Sequence, residues 1–273
     1  MSVQTTYPAG LTSALAGMIT RAGHRVQSRV AYAATVAGTV CLRRSDTEAS
    51  QIAATDEPTV DVDAFVASGG ASAATAQTVS GAALNGVLGD DSFFPPRNVT
   101  LTFNSHADWD TTTAVVTGAD HRGNLIQEQL LIPNGGNATV TGKLHFSRID
   151  SIYLPAQSGT GGTFTAGIGV SLGPIDARCA GIAVYDATKT TGTYSQYADL
   201  PCLKEGEIAM VSETTATQGD PVYVRFVATG DEVRGQIRNA PDGNDCALLE
   251  GARYAETLAA AGTVKVRVDI DPS

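Results

Sequence analysis

Between Ser28 and Arg44 apolar and polar residues alternate roughly in twos (S-R-V-A-Y-A-A-T-V-A-G-T-V-C-L-R-R), interrupted at Gly38. That period predicts two strands, or one strand broken by a bulge. The alternation returns further along and predicts strands near 98–103, 112–117, 124–132, 138–146, 149–154 and 162–170, separated by turn-forming stretches at Asp120–Asn124, Asn134–Asn137 and Gly159–Gly162. Turn signals at this density are those of a small sandwich or barrel. After Leu172-Gly173-Pro174 further strands are predicted near 180–185, 199–203, 206–213, 221–227, 234–238 and 263–270, with Gly219-Asp220-Pro221 as a strong turn.

Two stretches depart from this pattern. In residues 1–28, Leu11, Leu15, Met18 and Ile19 fall at helical spacing, but Gly10, Gly17 and Gly23 would leave a free helix marginal, so an extended arm is expected. Residues 56–74 combine acidic groups, a proline and small side chains, which predicts a linker. The expected organisation is an all-β chain: arm 1–28; a small β-barrel or sandwich unit from residues 29–55 and 176–273, built from both chain ends; linker 56–74; and an inserted second β-sandwich-like domain at 75–175.

Composition agrees with short strands and tight turns: of 273 residues, 29 are glycine, 17% are charged and 6% aromatic. A formal charge of -10 repels polyanions, so no nucleic-acid partner is expected. There is neither a signal-like segment nor a long apolar run, and the chain is expected to be a cytoplasmic product without a membrane partner. Cys41, Cys179, Cys202 and Cys246 lie far apart and read as buried thiols.

No catalytic, cofactor or metal site is predicted. His24, His106, His121 and His145 lack metal-binding spacing; His106, Asp108, Asp110 and His121 are weighed as a metal group against a solvated loop, and the loop fits better. Asp61 with Asp63, and Asp90 with Asp91, are paired carboxylates in flanks that look exposed, whereas acid–base work needs desolvation. No nucleophile elbow or phosphate-binding loop occurs, so the chain is not expected to be an enzyme. Trp109 has two readings, a core contact or an outward-facing sugar platform, and Phe93-Phe94 either pins its segment to a domain or plugs an interface.

The ordered series Gly181–Val184, Tyr185–Thr188, Tyr194–Tyr197, Leu203–Ile208, Gly219–Arg225, Gly235-Gln236, Ala240–Gly243 and Gly251–Tyr254, with Ala16–Ile19, Ser28–Val30 and Ala37–Val40 near the start, resembles the structural cement proteins of tailed phages. Residues 56–175 exceed what a compact member needs and are similar to an accessory β module of phage virion proteins. The resemblance implies a non-enzymatic capsid decoration protein on the outer capsid surface of the virion, made in the bacterial host cytoplasm. Its implied partners are the major capsid protein and copies of itself, as a homotrimer first and a dimer next. Implied capsid contacts are Tyr7, Leu11, Met18, Arg21, Arg25 and Arg29, the arginines as a basic patch on an acidic chain. The rival implications are a head appendage binding host glycan through the inserted domain, a hydrolytic virion enzyme, for which the spacing shows no desolvated carboxylate or metal cluster, and a tail or neck component.

Overall fold

A computed structural model describes residues 14–21, 23–56, 59–69, 75–104, 109, 112–132, 137–157, 162–189 and 191–270. The chain is all-β, with only 3-10 turns as helical structure among the described residues. In order, the strands are β1 (Arg25–Ala31), β2 (Thr35–Val36), β3 (Val40–Arg43), β4 (Glu48–Gln51), β5 (Asp61–Gly69), β6 (Gln77–Ser80), β7 (Arg97–Asn104), β8 (Thr113–Ala119), β9 (Leu125–Leu131) and β10 (Ala138–Thr141). They continue with β11 (Arg148–Leu154), β12 (Thr163–Leu172), β13 (Cys179–Ala183), β14 (Thr193–Tyr194), β15 (Asp199–Ser212), β16 (Pro221–Arg225), β17 (Ile237–Arg238), β18 (Cys246–Tyr254) and β19 (Gly262–Asp269). The chain divides into two compact units, one formed by residues up to Ala53 with Arg178–Ala240 and Leu249–Pro272, the other by Ala54–Ala177 with Pro241–Leu248.

In the first unit the pairings β1–β4–β3–β13–β15 return to β1, and β15–β17–β16–β18–β19 return to β15, so two closed circuits share β15. Their shared strand is 14 residues long, and Gly206, at φ +133°, lies in its middle. A Cβ there would come within 2.9 Å of the His24 Cβ, so the chain before β1 lies against the strand only because this residue is glycine. The sequence pattern breaks at the same place, which is why it suggests two strands where there is one.

A five-stranded circuit encloses little space. Ala31, Ala37, Cys41, Ala49, Ala180, Ala183, Leu200 and Cys202 make up its core, with Tyr194 as the largest buried side chain and the half-buried Tyr185 packed against them. The alternation of small residues that marks this part of the sequence is therefore a volume requirement. Elsewhere in this unit the Arg225 guanidinium, 1% exposed, is held by Glu213 at 2.6 Å and Glu232 at 3.0 Å, which ties the 226–236 loop to the end of β15.

The second unit is a sandwich-like pair of four-stranded sheets, β10-β7-β12-β5 and β6-β11-β8-β9, antiparallel throughout. Their inner faces meet in one core containing Phe65, Val99, Leu101, Phe103, Val116, Phe146, Ile149, Ile152 and Phe164. The strict alternation of β8, buried at Ala114 and Val116 and half-exposed at Thr113, Val115 and Thr117, is the sequence period made visible.

Two expectations about the connecting segments are corrected. Residues 56–74 are not a bare linker: Ala64, Phe65 and Val66 of β5 are buried, and β5 pairs with β12. Nor does a free arm run to residue 28. Arg25–Ser28 belong to β1 and pair with β15, and Ile19 bridges to Ile208. Residues 1–13 lie outside the described residues.

Candidate binding surface

The described residues contain no group of three or more His, Cys, Asp or Glu side chains able to hold a metal. His106, Asp108 and Asp110 lie outside the described residues. His145 shares a 3.0 Å hydrogen bond with Ser171, and burial lowers its pKa. The carboxyl of Asp63 is raised by its hydrogen bond to Asp61, and both side chains remain in contact with water. All four cysteines are buried, and none is in a disulfide. The hydrogen bond with Cys202, then burial, holds Cys41 as a thiol well above its ordinary range. Lys204, 3% exposed, donates to the Cys179 carbonyl at 2.7 Å and has a pKa lowered by desolvation.

Trp109 does not face outward. It is fully buried, packs edge-on against Phe103 and Phe164 at 4.8 and 6.3 Å, and donates its indole N–H to the Asn104 carbonyl at 3.2 Å. A chain with few aromatic residues has placed its single tryptophan where the most apolar area is removed from water. Phe93 packs on Phe65 at 5.4 Å and so pins its segment to the same core.

The three arginines assigned to one basic patch are in different situations. Arg21 pairs with Glu207 at 3.1 Å. Arg25 stands 3.8 Å from Glu205 and donates to the Ile270 carbonyl at 3.5 Å. Arg29 is 7% exposed and donates to the carbonyls of Ser45 and Asp46 and to Gln27, so it clasps the turn between β3 and β4. It is a structural clamp. Met18 is half-buried, and its carbonyl accepts from the Ala209 N–H at 2.9 Å. Tyr7 and Leu11 lie outside the described residues. A groove of about 250 Å³ beside this segment is lined by Arg21, Glu205, Glu207, Arg267 and Asp269, with charges of both signs.

Large exposed aromatic groups occur instead at one end of the first circuit. Tyr32 is 50% and Tyr197 73% exposed. The backbone joins them: the Tyr197 N–H donates to the Ala31 carbonyl at 2.7 Å, and the Ala31 N–H donates to the Ala198 carbonyl at 2.9 Å. Both Tyr197 and Ala198 thus stand opposite Ala31, a bulge just past the Val30–Asp199 pair, and Tyr32, the next residue along from Ala31, is at the same end of the pair. Tyr197 is the one non-glycine residue with positive φ (66°) among the described residues. Such a conformation suits glycine or asparagine and costs a bulky residue about 1–3 kcal/mol. Val36, 41% exposed, is opposite Thr193 in the adjoining β2–β14 pair. Tyrosines of this kind, apolar in body and polar at the tip, are favoured interface anchors. In the sequence Tyr197 stands only as the last residue of the Tyr194–Tyr197 motif, and no local signal marks Tyr32.

Residues 153–269 match the model of a protein family described as structural cement protein (E217 gp24/Pam3 gp6). The matched segment is less than half of the chain; it runs from the end of β11 to the end of β19 and includes Tyr197. No curated protein matches the chain. In its C-terminal part this protein is therefore similar to the structural cement proteins of phages, and its all-β architecture is consistent with a phage structural protein of that kind.

Proposed function

We propose that this protein is a structural component of a tailed-phage virion that binds the outside of the capsid between major capsid subunits and stabilises the expanded shell. The family match over residues 153–269 carries this reading, because that segment supplies β13–β19 and the Tyr197 turn. Binding works by surface complementarity. Tyr32 and Tyr197 enter a pocket between shell subunits, and the unit behind them, braced by two closed circuits, loses little further freedom on docking. A stable seat buries on the order of 800 Å² per partner, more than two tyrosines supply, so the chain before β1 adds to the contact. Copies act together, as a homotrimer first or a dimer next, which matches the symmetry of shells and multiplies weak seats into firm attachment.

The test is co-sedimentation of purified protein with undecorated expanded capsids of its phage. Saturable binding is expected, with the Tyr32→Ala/Tyr197→Ala double variant weakened by about 10²-fold, the loss of two anchors worth ~1–2 kcal/mol each. Absence of binding by the intact chain would overturn the assignment and direct attention to the tail or neck.

A further inference from the structure

We propose that the outer face of sheet β6-β11-β8-β9 is a binding site for a neutral polysaccharide. The face follows from the registers. One row across the four strands is Thr78, Tyr153, Val115 and Gln129; the next is Ser80, Ser151, Thr117 and Gln127. Every one of these side chains is exposed or half-exposed, and their strand neighbours Ile152, Ala114, Val116 and Leu130 are buried on the inner side. By strand geometry the rows lie roughly 7 Å apart and run roughly 15 Å across the sheet, enough for a short run of sugar rings.

Two features define the ligand. First, neither row contains a charged residue, although the chain carries 46 acidic and basic groups and a net charge of -10. The charged pair nearest in sequence, Arg148 and Asp150 of β11, is closed on itself at 2.7 Å. Such a face neither attracts nor repels a ligand by sign, so an ionic partner gains nothing from it. Second, its groups are hydroxyls and amides, which donate and accept in turn as sugar hydroxyls do. Gln127 already donates to Thr117 at 3.1 Å, which holds one amide in place with its carbonyl free for a ligand hydroxyl. Tyr153, 40% exposed at the middle of its row, offers an aromatic surface for the C–H face of a sugar ring. A protein partner would require several large apolar anchors near the centre, where this face has one tyrosine and one valine. Its exposed leucines, Leu125 and Leu131, stand at the two ends of β9.

The opposite outer face, on β10-β7-β12-β5, is a useful contrast. Its row Thr139, Thr102 and Thr165 has short side chains and no aromatic group, and the hydroxyls of Thr102 and Thr139 bond each other at 2.9 Å. The polysaccharide site therefore belongs to the Tyr153 face alone.

The experiment is affinity electrophoresis of the full chain through gels containing soluble neutral polysaccharides (dextran, laminarin and galactomannan), with polygalacturonate as the charged control. Retardation by at least one neutral polymer is expected. Tyr153→Ala should weaken it about tenfold or more, Gln129→Ala should weaken it, and Tyr153→Phe should retain it. Retardation by none of the neutral polymers, retardation by polygalacturonate alone, or retardation indifferent to Tyr153→Ala would each overturn the proposal. So would a Tyr153→Ala variant that changes the sedimentation coefficient of the free protein, which would show the face to be covered by a second copy. Capsid binding by Tyr153→Ala is expected to stay unchanged, so this site stands or falls separately from attachment to the shell.

Discussion

Tyr197 carries two opposed demands, since its backbone favours glycine or asparagine while its ring is 73% exposed. Tyr197→Asn is therefore expected to raise stability in urea by up to ~1 kcal/mol while lowering capsid affinity, a trade between stability and function. A variant losing both would remove the case for Tyr197 as an anchor. Trp109→Ala should behave in the opposite way, costing ~3–5 kcal/mol in a denaturant titration and leaving both proposed surfaces chemically intact. Burial raises the phenols of Tyr194 and Tyr254 to about 12, against an ordinary 10.0. The folded state thus keeps protons that the unfolded chain releases above pH 10. Their contribution is intact below that pH and is lost as pH rises toward about 12, so stability should fall through this window. Phenolate absorbance should show a late component from these two tyrosines, and Tyr254→Phe should flatten the alkaline limb. At this scale the sequence left the alternatives for Trp109 open because a lone tryptophan gives no period. The packing of Phe103 and Phe164 around it decides between them, and neither is its neighbour in the chain.

Among elements, the segment before β1 is most tightly constrained at Gly17. Its N–H donates to the Ala209 carbonyl at 2.6 Å and its carbonyl accepts from Tyr185 at 2.7 Å, while a Cβ would lie 2.7 Å from the Gly38 nitrogen. With φ at +83° as well, Gly17→Ala is expected to cost more than ~1 kcal/mol, read as a lowered urea midpoint at unchanged slope. For the same reason a chain lacking residues 1–28 would lose the Gly17 junction and half of β1, and should fail to fold, whereas one lacking residues 1–13 keeps every described element. Only the shorter truncation can test the role of the chain's start in capsid binding. A strand with clean alternation, such as β8, was legible because one face is buried and the other wet. β5 was missed because Asp61 and Asp63 precede its buried Ala64-Phe65-Val66 core, and β18 because its burial does not alternate. The run expected as 138–146 stops at Thr141: Gly142 makes one more in-register bond to Val99, and then the Glu128 carboxylate takes the amides of Lys143 and Leu144 in place of a strand partner. Glu128 is on another strand, so no local pattern could announce that stop.

For the whole molecule, the pairings set the order in which parts become possible. Ala54–Ala177 contains both sheets of the second unit and all of its core cluster. A fragment of residues 54–177 is expected to fold alone, with its own cooperative thermal transition, because nearly all the strand partners it needs lie within it. The first unit has no such local completeness. β1 must wait for β15, roughly 170 residues later, and the short distance between them in space had no counterpart in the sequence pattern. Closing loops of that length makes for slow folding. The strand common to both circuits is thus also a timing device. During synthesis β1, β3 and β4 emerge first and remain without their main partners, while the second unit is made and folds. Both circuits then close within the last quarter of translation, β15 completing one and β19 the other. A ribosome stalled once Ala177 has cleared its exit tunnel, with β15 still inside, should carry a protease-resistant second unit on an open first one, so the surface proposed to seat on the shell is the last part of the protein to form.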